Sequence, residues 1–212
     1  KWDAERQADQ ARAYVKKING ENLILVGHSW GALVAMSWAA KYPKEVKGVI
    51  SIAGLNMPLS GVSKIANDTG IFNLAYELYF TNVARKVDSG SIEKFAGRMF
   101  KPQDIPKAYL DYLGSDLSRR LSTIKANKND LVFTPQALDK NFAHYNHMKM
   151  PIEIIHGVED FLLPINSQAV AFNDVIPNSR LHILPKVGHM AHHFAFKEIS
   201  DSISYIRNFS LT

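Results

Sequence analysis

The sequence predicts an α/β fold: a mostly parallel sheet with flanking helices, interrupted by an inserted helical region. Three observations lead there. Short segments that are apolar at consecutive positions alternate with amphipathic helical patterns. The strand-like segment Leu23-Ile24-Leu25-Val26 is apolar throughout instead of at every second residue, as a strand needs when both of its faces are covered. The alternation stops near residue 57 and resumes at Pro151, which sets the middle of the chain apart.

Residues 3–18 are expected to form a helix, because Ala4, Ala8, Ala11, Val15 and Ile18 recur in steps of four and three on one narrow face. Asn19-Gly20 terminates it. Residues 23–26 form a strand and 32–41 a helix rich in small residues. Residues 47–53 form a second strand, closed by Gly54. The region 57–147 has helical patches at Asn73 to Arg85 and Ser91 to Met99, broken by Pro58, Pro102, Pro106 and Pro135. Beyond it come a strand at Ile152 to His156, a helix at Asn166 to Val175 and a strand at Arg180 to Leu184. The last helix, from about His193 to Asn208, carries Phe196, Ile199, Ile203 and Ile206 on one face. The organisation expected is a core of residues 1–56 and 148–212 and a helical cap of residues 57–147.

Composition excludes several classes of function. The chain has no cysteine, so neither disulfides nor thiol chemistry are available. The net charge of +5 comes from scattered lysines and arginines without the basic and aromatic stripe of a nucleic-acid binder. The longest apolar stretch, Leu23 to Ala40, is interrupted by His28, Ser29 and a turn, and is not a membrane span.

The chemistry begins at Gly27-His28-Ser29-Trp30-Gly31, a G-x-S-x-G pattern between a strand and a helix. In that context the serine sits at the apex of a sharp turn above a helix N-terminus. A serine hydroxyl needs a base to take its proton and an acid to orient that base. Parallel sheets gather such groups at the carboxyl ends of their strands. Two strand ends qualify: His156-Gly157-Val158-Glu159-Asp160 and Pro185-Lys186-Val187-Gly188-His189.

These three motifs, in the order Ser29, Asp160, His189, resemble the α/β-hydrolase superfamily, specifically its capped, serine-nucleophile esterase- and lipase-like members. The resemblance covers nearly the whole chain; 57–147 matches the variable cap of that family in position and helical character. It implies Ser29 as nucleophile, His189 as general base and Asp160 as the acid that sets the histidine tautomer. It also implies the Trp30 backbone N–H as an oxyanion donor, with Gly27, His28 and Gly31 completing the elbow. Glu159 competes with Asp160 as the acid; the spacing after His156-Gly157 favours Asp160. His28 is expected to be a packing or hydrogen-bonding neighbour of the elbow. His189, His192 and His193 look like a metal cluster on paper, but a ligand role would compete with the base role of His189. No metal and no cofactor are therefore expected. Phe72, Tyr76, Tyr79 and Phe80 are expected mostly in the cap core, with one or two of them as candidates for the acyl-pocket lining, and His144 and His147 at an exposed or interface position.

Relative to the family, the strands and the loop with a second oxyanion donor that precede the first helix have no counterpart after Lys1. The strand Leu23 to Val26 has no earlier segment to cover one of its edges. The expectation is that these residues are the C-terminal part of a hydrolase whose N-terminal part acts as a partner, in cis or as a separate chain. The expected function is serine hydrolysis of a carboxylic ester or related acyl bond in a small-molecule substrate, without nucleic acid or membrane span. The alternatives are a cofactor-free haloperoxidase-like or carbon–carbon bond hydrolase of the same fold, or a non-catalytic receptor. The aspartate nucleophile of haloalkane dehalogenases and epoxide hydrolases is absent at Ser29.

Overall fold

A computed structural model of the chain describes residues 3–58, 89–112 and 120–210. In chain order the elements are α1 (Ala4–Lys17), β1 (Leu23–His28), α2 (Trp30–Lys41), β2 (Val46–Ile52), α3 (Ser89–Phe100), α4 (Lys107–Tyr112) and α5 (Leu121–Tyr145). They continue with β3 (Ile152–Gly157), α6 (a π turn over Asn166–Val170 that runs on as Ala171–Val175), β4 (Ser179–Leu184) and α7 (Phe196–Asn208). The four strands form one parallel sheet in the order β1-β2-β3-β4. Parallel neighbours cannot be joined by a hairpin, so helical connections cross between them.

Side-chain alternation along the central strands builds a core on each face of the sheet. Val49, Ile152 and Ile154 pack with Ala8 of α1, Met36 and Trp38 of α2, Tyr145 of α5 and Phe172 of α6. Ile50, Ile52 and Ile155 belong to the opposite core, with Ile206 of α7. Close packing there needs Gly48, where a Cβ would lie 2.6 Å from Ile206 Cγ2. β3 is buried at every residue and β2 at all but Lys47, the two-sided coverage that their apolar runs require. β1 is only partly covered: Val26 is 52% exposed, and among the described residues no strand pairs with its outer edge.

Three details differ from the sequence reading. Only Ala4 and Ala8 of the α1 stripe are fully buried, Val15 packs partly against the core, and Ala11 and Ile18 are exposed. Pro135 does not break the insertion; it lies inside the 25-residue helix α5. The interruption is outweighed by packing, since Leu138 and Tyr145 are fully buried beyond it and Asn141 bonds to Ser37 of α2 at 3.0 Å. α7 begins at Phe196, after a separate turn at Ala191–His193, and Phe196 itself is exposed. Within 57–147 the described elements are all helices. The patch Asn73 to Arg85 and the aromatics Phe72, Tyr76, Tyr79 and Phe80 lie outside the described residues. His144 and His147 are exposed at the end of α5.

A buried carboxylate ties α7 to the sheet. Glu153 accepts two bonds from Arg180 at 2.7 Å each, one from His182 Nε2 at 2.8 Å and one from Ser202 Oγ at 3.0 Å. The Arg180 guanidinium also lies 3.4 Å from the centroid of the Tyr205 ring. Burial by itself would raise the Glu153 carboxyl; the bonds from Arg180, His182 and Ser202 outweigh it and hold the group below its usual range. A lowered carboxylate stabilises the fold above the unfolded value and loses that contribution as pH falls through the folded one. Glu153→Ala is expected to lower the unfolding free energy by about 2–3 kcal/mol in a urea titration. That is less than a fully buried pair would lose, because the Arg180 side chain is 42% exposed and regains water. An unchanged midpoint would mean that apolar packing of Ile206 holds α7 alone.

Candidate active site

The site is built at the carboxyl ends of β1, β3 and β4. β1 ends at His28 and α2 begins at Trp30, so Ser29 alone makes the turn, with φ 54° and ψ −123°. A non-glycine residue is strained there, by about 1–3 kcal/mol. Three backbone bonds hold it: Ser29 N–H to Ile52 O at 3.0 Å, Ala32 N–H to Ser29 O at 3.0 Å and Leu55 N–H to Ser29 O at 3.2 Å. Gly27 makes the close crossing possible, since a Cβ there would stand 2.5 Å from Gly31 O and 2.6 Å from Ala32 Cα. At Gly31 the corresponding space is open, so crowding among the described residues does not require glycine at that position. Trp30 is the first residue of α2, so its N–H is one of the donors that a helix start leaves outside the helical ladder. Its indole N–H bonds to Thr134 Oγ1 of α5 at 2.8 Å.

Two loops bring the remaining groups to Ser29. The loop after β3 carries Asp160 and the loop after β4 carries His189. They are joined to each other by Val158 N–H to Leu184 O at 3.0 Å and Glu159 N–H to Val187 O at 2.9 Å. His189 Nδ1 lies 2.8 Å from Asp160 Oδ2 and Nε2 lies 2.9 Å from Ser29 Oγ. A carboxylate only accepts, so Nδ1 carries the proton; in neutral His189 the Nε2 lone pair then faces the Ser29 hydroxyl. Asp160 is buried, and its other oxygen accepts the Leu162 and Leu163 N–H groups at 3.0 Å each. Burial tends to raise the Asp160 carboxyl, but the bonds from His156, His189 and Leu163 prevail and keep it well below the usual carboxylate range. Glu159 is exposed beside it.

Ser29, Asp160 and His189 are thus assembled in one chain of hydrogen bonds, with Trp30, Gly27, His28 and Gly31 around it. Two neighbours take places that the sequence reading did not assign: it quoted His156 only within the motif of Asp160 and weighed His192 only as a metal ligand. His156 is fully buried; its Nε2–H bonds to Leu163 O at 2.8 Å and lies 3.3 Å from Asp160 Oδ2. The i, i+4 spacing of His156 and Asp160 is the available signal. His192 lies against His28 with centroids 4.1 Å apart and ring planes tilted by 50°, and His193 follows at 4.3 Å. These rings lie against one another instead of converging on a point, and among the described residues no group of three side chains is arranged to hold a metal ion. His28 Nε2–H donates to the His189 carbonyl at 2.9 Å.

The family model of the alpha/beta hydrolase fold matches residues 1–196. The chain belongs to the α/β-hydrolase fold family. Across 98% of its length it is 24% identical to the cis-3-alkyl-4-alkyloxetan-2-one decarboxylase of Shewanella oneidensis, and it spans 66% of that relative. Among solved structures, the bromoperoxidase of Bacillus anthracis matches with a TM-score of 0.72 and 15% identity over 95% of this chain and 73% of that one. A thermophilic esterase of Thermogutta terrifontis matches with a TM-score of 0.67 and 17% identity over 97% of this chain and 72% of that one. At such identities the structural likeness concerns the fold.

In this α/β-hydrolase chain, burial pushes His28 down to about 4, against the opposing effect of its bond to the His189 carbonyl. Burial, followed by the neighbouring histidines, pushes His192 down to about 4 as well. Both rings are neutral in the folded protein at neutral pH, while an unfolded histidine titrates near ~6.5. Between those values the unfolded state binds more protons, so stability is lost as pH falls from about 6.5 to 4. The expected slope is up to about 1.4 kcal/mol per pH unit for each histidine. Replacing both by asparagine should flatten this limb in denaturant titrations at stepped pH. An unchanged slope would assign the acid sensitivity to other groups.

Proposed function

We propose that this chain carries the nucleophile, base and acid of a serine hydrolase that cleaves a carboxylic ester or related acyl bond. The observation that carries the reading is the hydrogen-bonded series Ser29 Oγ, His189 Nε2, His189 Nδ1 and Asp160 Oδ2, with contacts of 2.9 and 2.8 Å. His189 takes the Ser29 proton as Oγ attacks the acyl carbonyl, and Asp160 stabilises the imidazolium that results. The tetrahedral oxyanion forms above the start of α2, where the Trp30 N–H donates to it. His189 returns the proton to the leaving alcohol, leaving an acyl-Ser29 ester. Water, deprotonated by His189, then attacks that ester and releases the acid and free Ser29.

The reading carries no metal or cofactor in any step, and the substrate is a small acyl compound. The relatives' names describe a decarboxylase of an oxetan-2-one, which is a cyclic ester, and an esterase. Both substrate classes present an acyl carbonyl to a nucleophile. The chain spans only part of these relatives, so the second oxyanion donor belongs to the proposal that an N-terminal part of the same protein completes the site. The helices between β2 and β3 act in this reading as a cap that sets substrate choice.

A fluorophosphonate probe tests the chemistry on the complete protein. The wild type is expected to be labelled at Ser29 and to hydrolyse short p-nitrophenyl esters; Ser29→Ala should abolish labelling and lower kcat at least about 10,000-fold. A well-folded wild type that takes no label would favour a non-catalytic binding role for the same site.

A further inference from the structure

The segment leaving α3 passes directly behind the loop that carries His189. At Gly188 a Cβ would stand 1.8 Å from Lys101 O and 2.9 Å from Lys101 C, so only hydrogen can face that carbonyl. Two residues earlier the Lys186 carbonyl accepts a bond from the Gln103 side-chain amide. Lys186 itself is held at φ 57°, a strained value for lysine. On the other side of His189, fully buried Phe100 packs against His193 and Phe194, with centroids 4.9 and 6.2 Å away. Arg98 adds a weaker contact to the acid loop, its guanidinium 5.1 Å from the centroid of Phe161, the residue after Asp160.

The two loops are tied to each other by several contacts. Besides the bonds from Val158 and Glu159, Gly157 lets them approach so closely that a Cβ there would stand 2.2 Å from Val187 O. Ser29, in contrast, is anchored to the end of β2, to Leu55 just beyond it and to the first turn of α2. The distance between the hydroxyl and the imidazole therefore depends on what holds the joined loops against the elbow. His28 grips the His189 carbonyl from the elbow side; the segment after α3 bears on the loop before and after His189.

We propose that residues 98–103 form a positioning strap, which sets His189 and Asp160 against Ser29 and couples the inserted helices to the reacting groups. The proposal rests on the serine-hydrolase reading. Phe100 and Gln103 are positioning residues, and Gly188 is the seat on which the strap lies. A displacement of about 1 Å between reacting groups can cost on the order of 100-fold in rate, so modest loosening is measurable.

The test uses the complete protein and two substitutions that leave the core volume nearly intact, Phe100→Leu combined with Gln103→Met. The readouts are the fluorophosphonate labelling rate of Ser29 across the neutral pH range and kcat and KM for p-nitrophenyl acetate. The expected result is a loss of about 10-fold or more in labelling rate and kcat, with KM within about 2-fold of wild type. Gln103→Lys in the Phe100→Leu background restores an N–H donor of similar reach and should recover part of the rate. Gly188→Ala should cost more, on the order of 100-fold; if it fails to fold, the double variant decides. A double variant that is folded by circular dichroism and labels at the wild-type rate overturns the strap, as does a loss confined to KM. A wild type that takes no label removes the serine reading and the strap together, whereas a labelled wild type with indifferent variants removes the strap alone.

Discussion

The turn at Ser29 is the constraint around which the site is arranged. A residue with φ 54° is held in place by bonds to the end of β2 and to the first turn of α2, and it has room only because Gly27 carries no side chain. The strain of about 1–3 kcal/mol fixes the hydroxyl relative to the helix start. A relaxed extended residue would continue β1 and carry its side chain into the sheet. The parallel register does the rest. His28 lies level with Ile52, Ile52 with Ile155, and Gly157 with Leu184, so the loops that follow β1, β3 and β4 emerge along one edge.

Burial then decides which groups around the turn are charged. Asp160 stays ionised because three hydrogen-bond donors more than offset its desolvation. At His28 the bond to the His189 carbonyl is too weak to offset burial, and His192 has no such bond, so both remain neutral and keep positive charge away from the His189 ring. In the proposed reaction that ring must become cationic transiently, and charged neighbours would oppose it. On the opposite core the same competition favours Glu153, whose four bonds keep it ionised while fully buried and fasten α7 beneath the sheet.

The helical patterns were legible where one face meets the core and less so where tertiary contacts override local rules. The strands at 23–26, 152–156 and 180–184 and the helix after the elbow follow from consecutive apolar residues and the glycine-bounded turn. Pro135 was misleading because proline costs a helix a hydrogen bond, yet buried Leu138, Asn141 and Tyr145 secure the turns beyond it. The apolar stripe of α1 suggested burial at Ala11 and Ile18, but periodicity states that a face exists and not what covers it. The order and spacing of Ser29, Asp160 and His189 marked the residues that meet. The contacts of His156, quoted only within the motif of Asp160, and of His192, weighed only as a metal ligand, were not legible because they depend on which rings and carbonyls approach them across the loops.

The sequence by itself determined the α/β alternation, because it is written in local patterning, and its motifs at three strand ends carried the resemblance that grouped Ser29, Asp160 and His189. Tertiary structure alone decided the distances among them, the protonation of the surrounding histidines, and the contact of the α3 exit with the loop of His189. Those depend on desolvation and on close approach between segments far apart in the chain. Gly188 illustrates the division: its spacing before His189 is visible in the sequence, but the carbonyl of Lys101 that requires a glycine there is 87 residues away and becomes its neighbour only on folding.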